Sequence, residues 1–331
     1  MEFTERTKLY NNGYPVNFGY SKNGTIEFNP EDGKIPFLRM KEWDFYQLIN
    51  RKFSMYVIIG HVSYATSLNC TLFDFETGKN IYIGKLLPFK KVMMDKSSFE
   101  DSDVKYESDE YKIEFKRENG TISVILDAFD KTYGKCKADI KLTETQKDSI
   151  LVSTPFENKK HFYLNRKSCL MKCSGYAKFG DEIFEFKEDD TFGLTDWGRG
   201  VLPFKHNWVW GNGSGIVNGK YFGFNIGIFG NNENGSENIF FYNGKSYKLN
   251  KVDIKFDEND YMKDWYYESD DRSFVFKMHP VYDNHTKTKM LWVDNECHQV
   301  FGEFSGYIIT ENGKTEINDF FAFAENAHNR W

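Results

Sequence analysis

The chain has 331 residues, 40 % of them hydrophobic and 18 % aromatic, and a formal net charge of −6. This length fits two domains of about 150 residues or one large β architecture, and so mild an acidity argues against a general nucleic-acid binder, which would carry a basic patch or a high pI. The five cysteines (Cys70, Cys136, Cys169, Cys173, Cys297) form no CxxC pair, so neither a zinc ribbon nor a disulfide framework is expected.

The chain opens on a polar segment, residues 1–36, with turn signals at Asn12-Gly13, Asn23-Gly24 and Asp32-Gly33. It reads as an extended arm lying across a domain. It has no apolar h-region, so no secretory leader is expected and the protein is placed in the cytoplasm. No stretch approaches the roughly 18 apolar residues of a membrane-spanning helix. From Trp43 the pattern changes to consecutive strands, with a turn at Glu76–Lys79 and a continuous apolar run at Met55–Ile59. The segment Val104–Asp127 alternates around Asn119-Gly120, as a hairpin does. Strands follow at Ala138–Leu142 and Ser149–Thr154. Lys167 sits among polar neighbours in Asn165–Gly175, and another two-strand pattern turns at Gly180-Asp181. Beyond it lie a strand in Gly219–Phe229, a polar loop at 230–238, a hairpin at Asn243-Gly244, strands near 251–256 and 272–280, and two more around Asn312-Gly313. Only Phe321–His328 offers a candidate helix. Repeated short strands with Gly-containing turns predict an all-β barrel or sandwich with less than about a fifth helix. The expected units are 1–190, with the arm, and 191–331.

The stretch Leu194–Gly215 organises the functional reading. It holds Trp197, Trp208 and Trp210 beside Asp196, Arg199 and His206, punctuated by five glycines. A charged pair within an aromatic wall is either a buried clamp or the polar centre of a cavity. Asp196 is the candidate acid, because an apolar wall raises a carboxyl pKa. Paired with Arg199 it would instead be ionised, and the three-residue spacing favours that clamp. Trp208 and Trp210, two apart on a strand, share one face and serve as core or as cavity lining. His298 and Glu237 are further catalytic candidates, and Asn225 joins Trp197, Arg199, Trp208 and Trp210 as candidate ligand contacts. Glu325 would permit paired-carboxylate chemistry, although pairing of these carboxylates with Arg199, Arg330 or Lys167 is the simpler use. His206 is expected on an exposed turn. The seven histidines show no metal-type spacing, and the Gly-rich runs match no nucleotide-binding pattern, so no metal and no cofactor are assigned.

Several phrases resemble the bacterial family catalogued as domain of unknown function 2804. They include Trp43-Asp44-Phe45-Tyr46, Thr154-Pro155-Phe156, Asp196-Trp197-Gly198-Arg199-Gly200, Trp208-Val209-Trp210-Gly211, Gly223-Phe224-Asn225-Ile226-Gly227, Glu237-Asn238, His298-Gln299-Val300-Phe301-Gly302 and Asn329-Arg330-Trp331. More distantly, Gly175–Arg199 is similar to the junction of two-barrel lipocalin-like proteins related to carotenoid hydratase and tocopherol cyclase. That resemblance implies two consecutive lipocalin-like antiparallel β-barrels with an apolar cavity near their junction. It also implies cofactor-independent acid catalysis on an unsaturated ligand, with Asp196 as proton donor. A non-catalytic carrier of an apolar or amphipathic molecule is the main alternative reading, and a carbohydrate-active β protein a further one.

Overall fold

The computed structural model describes residues 1–229, 236–290 and 293–330. Strands take up 68 % of the chain, and the only helical element among the described residues is a 3-10 turn, Pro30–Asp32. The all-β expectation therefore holds. No helix among them is long and apolar enough to cross a membrane.

The strands form two large antiparallel sheets, each curled around its own core as a half-barrel. In spatial order the first runs Ser102–Ser108, Tyr111–Glu118, Thr121–Asp130, Gly134–Glu144, Phe162–Phe179, Phe192–Val201, Met40–Ile49, Phe53–His61, Ala65–Asp74, Asn80–Pro88. The second runs Lys245–Lys248, Ile239–Tyr242, Lys220–Phe229, Lys205–Val217, Gly313–Arg330, Val293–Thr310, Phe274–Met290, Trp265–Ser269, Val252–Lys255. Alternation along each strand sends one set of side chains to the interior. In the first sheet that set includes Met55, Val57, Ile59, Ile113, Val124 and Ile140. In the second it is strongly aromatic, with Phe222, Phe224, Trp265, Tyr267, Phe274, Phe276 and Phe304. The Asn-Gly turns at 119–120 and 243–244 hold positive φ at both residues, the geometry that matches hairpin twist.

Three expectations need correction. The strand Phe192–Val201 pairs with both Phe162–Phe179 and Met40–Ile49, so it belongs to the first sheet. The sheets part between Val201 and Lys205 rather than at 190/191. Phe321–His328 is not helical but lies inside the strand Gly313–Arg330, hydrogen-bonded to a neighbour on each side. Its residues alternate, Ala322 and Ala324 toward the barrel core and Phe321 and Phe323 toward the first sheet. Pairing on both edges outweighs the local propensity of an alanine-rich segment. His206 stands on the strand Lys205–Val217, half-buried against Trp208 and Phe229, not on an exposed turn. The loop expected over 230–238 falls largely outside the described residues.

The N-terminal segment is an arm of two- and three-residue strands. Gly19–Ser21 adds to Ile150–Pro155, and Leu9, Tyr10, Ile26 and Phe28 pack on Phe162, Trp197 and Val201. With the arm on one side and the second sheet on the other, all ten residues of Phe192–Val201 are buried. Phe73, Leu194, Trp210, Phe301 and Phe323 fill the seam between the sheets.

Candidate functional site

A cavity of about 360 Å³ opens in that seam. Its walls are largely aromatic, with Trp43, Phe45, Tyr56 and Tyr163 from the first half and Trp208, Trp210 and Phe229 from the second. Its polar centre is one ammonium among three carboxylates: Lys167, Asp196, Glu237 and Glu325.

Strand register brings these groups together. Lys167 and Asp196 are direct cross-strand partners, and Lys167 Nζ lies 2.6 Å from Asp196 Oδ2. Asp196 Oδ1 accepts from Trp43 Nε1–H at 2.9 Å and from Asn165 Nδ2–H at 2.5 Å. Trp43 lies over Gly198, where a Cβ would meet its ring at 2.1 Å, so only glycine leaves the indole this place. In the second sheet Trp210 is the cross-strand partner of Glu325. Glu325 accepts from Trp208 Nε1–H and, at 3.3 Å, from Gln299 Nε2–H. The Lys167 ammonium stands 3.7 Å over the Trp210 ring. Glu237 precedes the strand Ile239–Tyr242 and lies across Gly227, where a Cβ would be 1.9 Å from Glu237 Oε1.

The four charges do not cancel. Burial and the neighbouring Asp196 raise the pKa of Glu237, with Lys167 and Asn225 offsetting part of the shift. Burial likewise raises that of Glu325, against the Trp208 hydrogen bond and Lys167. Burial works against the charge of Lys167, but Asp196, Glu237 and Glu325 outweigh it, and its pKa ends above the ordinary lysine value. Burial thus biases Glu237 and Glu325 toward the protonated acid, while Lys167 stays the cation that they share with Asp196. Glu237 Oε2 is buried without a hydrogen-bond partner among the described residues. A carboxylic acid so placed carries an O–H with no acceptor among the described residues.

The remaining candidates lie elsewhere. Asn225 stands behind the wall: its Oδ1 accepts from Trp210 Nε1–H (2.7 Å) and Asn212 (3.1 Å), and its Nδ2–H donates to the Glu237 carbonyl at 3.1 Å. It positions Trp210 and Glu237 rather than lining the cavity. Trp197 and Arg199 point to the opposite face from Asp196, as odd and even positions of one strand must. The expected Asp196–Arg199 clamp is therefore replaced by Asp196–Lys167. Arg199 is 0 % exposed, its Nη2 lying 2.6 Å from Asp95 Oδ1 and 2.9 Å from Asp44 Oδ1. Its guanidinium lies 4.1 Å over the Trp197 ring, whose Nε1–H donates to Asp95. Burial, partly offset by Arg199, pushes Asp44 up to about 6.

His298 also faces away from the cavity. Its Nδ1 is 2.8 Å from Asp283, and its ring is stacked between Tyr261 and His285 at 3.8 and 4.0 Å. His285, Glu296 and His298 form the one cluster among the described residues able to hold a metal, with ligand atoms within 4.8 Å of one another. Lys287 already occupies Glu296 there. The chemistry-bearing groups that the sequence left unassigned are Trp43 and Gln299, while Lys167, one of three possible partners of the carboxylates there, is the hub.

The architecture has solved counterparts. The crystal structure of CghA with Sch210972 matches at a TM-score of 0.59 and 9 % identity, over 96 % of this chain and 94 % of that one. A putative AttH from Nitrosomonas europaea matches at 0.52 and 11 %, over 87 % and 92 %. Kievitone hydratase from Nectria haematococca matches at 0.51 and 11 %, over 99 % and 97 %. The shared fold is the two-barrel lipocalin-like one. No curated protein matches the chain significantly in sequence. The family model of DUF2804, a domain of unknown function, spans residues 1–331, and the chain belongs to that family.

Proposed function

We propose that the protein binds an apolar, unsaturated small molecule in the seam cavity and protonates it, initiating a hydration, isomerisation or cyclisation. Glu237, not Asp196, is the proton donor in this reading. The observation that carries it is the buried Oε2 of a carboxyl, unpartnered among the described residues, whose burial favours the acid form, beside a lysine already committed to Asp196. Protonation of a carbon–carbon double bond moves the Glu237 proton to one carbon and leaves a cation at the other. The faces of Trp43 and Trp208 supply negative quadrupole potential to that cation, and the glutamate left behind is stabilised by Lys167. Loss of a neighbouring proton completes an isomerisation, attack by water followed by loss of its proton a hydration, and attack by a second double bond, which leaves a new cation that then loses a proton, a cyclisation. In each case the released proton returns to Glu237. The similarity to a structure named as a hydratase agrees with this reading.

The test works with an unidentified substrate. Neutral lipids of the source organism are incubated in D2O with wild type or Glu237→Gln, and mass spectra are searched for carbon-bound deuterium. Wild type should label one lipid class and the variant none. Retention of a co-purifying lipid without any labelling would leave a carrier with the same cavity. Equal labelling by both proteins would remove Glu237 from the reaction.

A further inference from the structure

One end of the first sheet combines two features that the cavity chemistry does not use. Phe37, Phe89 and Met93 stand almost wholly in solvent, 88, 91 and 82 % exposed, and Leu38 and Phe204 are also exposed. Their turns meet in space. Met40 pairs with Val201 and Ala65 with Pro88, which brings the 36–39, 62–65, 88–93 and 202–204 turns to the same end. Phe89 N–H donates to the Tyr64 carbonyl, and Arg39 reaches the Leu202 carbonyl. Leu38 and Phe89 hold φ of +56° and +57°, a region side chains rarely adopt. The backbone is thus bent unfavourably at two turns whose apolar side chains gain no burial from it.

The second feature is charge. Segments 34–41, 85–96, 157–161 and 202–206 carry ten lysines and arginines, nine of them at the surface and Lys41 buried, against two carboxylates, in a chain of net charge −6. One of those two, Asp95, is held by Arg199. The 157–161 turn belongs to the same end, since Phe162 pairs with both Pro155 and Val201. Separate apolar tips ringed by lysines do not resemble a protein interface, whose centre is depleted of lysine. They match an interfacial membrane contact, with side chains entering the acyl boundary and ammonium groups on anionic headgroups.

We propose that this end of the first barrel docks on an anionic lipid bilayer. Lys41, Val62 and Leu202, from the same turns and strand ends, line the cavity. An apolar molecule can therefore pass between bilayer and cavity without crossing water, a consequence that rests on the cavity reading above, whereas the docking itself does not.

The experiment is co-sedimentation of the full chain with phosphatidylcholine vesicles, with and without phosphatidylglycerol. Wild type should bind the anionic vesicles, lose binding as salt is raised, and bind the neutral ones weakly. Phe37→Ser/Phe89→Ser and Lys90→Gln/Lys91→Gln should each lose binding by about tenfold or more, with melting temperatures unchanged because these side chains are exposed. Absence of wild-type binding to anionic vesicles overturns the proposal, as does undiminished binding by the Phe37/Phe89 variant. A lipid-free dimer that the same variant turns into a monomer also overturns it, in favour of a protein contact. Glu237→Gln separates the two readings. If it sediments like wild type but fails to label lipid, both stand; if wild type labels lipid without sedimenting, docking alone falls.

Discussion

Lys167→Met tests the charge balance of the seam most directly. Lys167 and Asp196 are buried, 5 and 11 % exposed in their side chains, and 2.6 Å apart. Methionine keeps the length and apolar stem of lysine and removes the charge. Breaking a buried pair from one side costs about 3–5 kcal/mol, because the partner is left uncompensated. Here Asp196 would be left beside Glu237 and Glu325, so the loss should fall in the upper part of that range. For a unit of 150–250 residues each kcal/mol moves the melting temperature by about 2–4 °C, so a loss of about 4–5 kcal/mol gives a drop of about 8–20 °C. Asp196→Asn should cost less, since Lys167 keeps two other carboxylates as partners. The double variant should melt above the sum of the single losses, the signature of a coupled pair. The Lys167→Met deficit should shrink as pH falls, when the carboxyls can take up protons. Differential scanning calorimetry from pH 4 to 8 reads all of this. A Lys167→Met melting temperature equal to that of wild type, or Asp196→Asn as the worse variant, would refute the assignment of Lys167 as the shared cation.

Three further outcomes follow from the geometry. Gly227→Ala places a methyl against the Glu237 carboxyl, whose far end can swing aside, so deuterium labelling should be lost while stability falls by only about 1 kcal/mol in a thermal melt. Trp208→Ala should cost about 1–3 kcal/mol, less than the 3–5 of a fully packed tryptophan because Trp208 is half-buried, and should abolish most of the tryptophan quenching caused by anilinonaphthalene sulfonate. His206 is held down to about 4 by burial, against a hydrogen bond to Pro203 that raises it, while an unfolded histidine titrates near 6.5. Between pH 6.5 and 4 the unfolded chain binds the proton that the fold refuses, so stability falls as pH falls through that window. His206→Phe should flatten that limb of the melting curve, and an unaltered acid limb would show that other groups set it.

The fold was legible because its signals are local. Alternating apolar residues and Asn-Gly turns at 119–120 and 243–244 mark strands and hairpins whatever the partner strand. Phe321–His328 misled for the converse reason: its alanines and asparagine become strand only through neighbours on both edges. In the site, Asp196, Trp208, Trp210 and Glu237 stood out by residue type and context. Lys167 was only one of three possible partners, because it lies 29 positions upstream of Asp196 and meets it only through register. The Asp196–Arg199 pairing assumed a flexed, glycine-rich turn. Once Phe192–Val201 is an unbroken strand, a three-residue spacing places the two groups on opposite faces, and Arg199 finds Asp44 and Asp95 instead. Asp95 carries no sequence signal, since it sits in an irregular segment between strands.

The division of the polar centre between the two sheets bears on how the chain is made. Lys167 and Asp196 come from the first sheet, Glu237 and Glu325 from the second. As the polypeptide leaves the ribosome, the first barrel can close with its ammonium and carboxylate already matched, although its seam face stays uncovered until the second sheet arrives. The second barrel emerges with two acids facing the seam and no base among these four groups of its own. Its docking is then a titration as well as a packing event, since the glutamates must find Lys167 or take protons from water. Residues 1–201 expressed alone should therefore tolerate a wide pH range, whereas a complementing 205–331 fragment should assemble onto them more tightly in mild acid than in base.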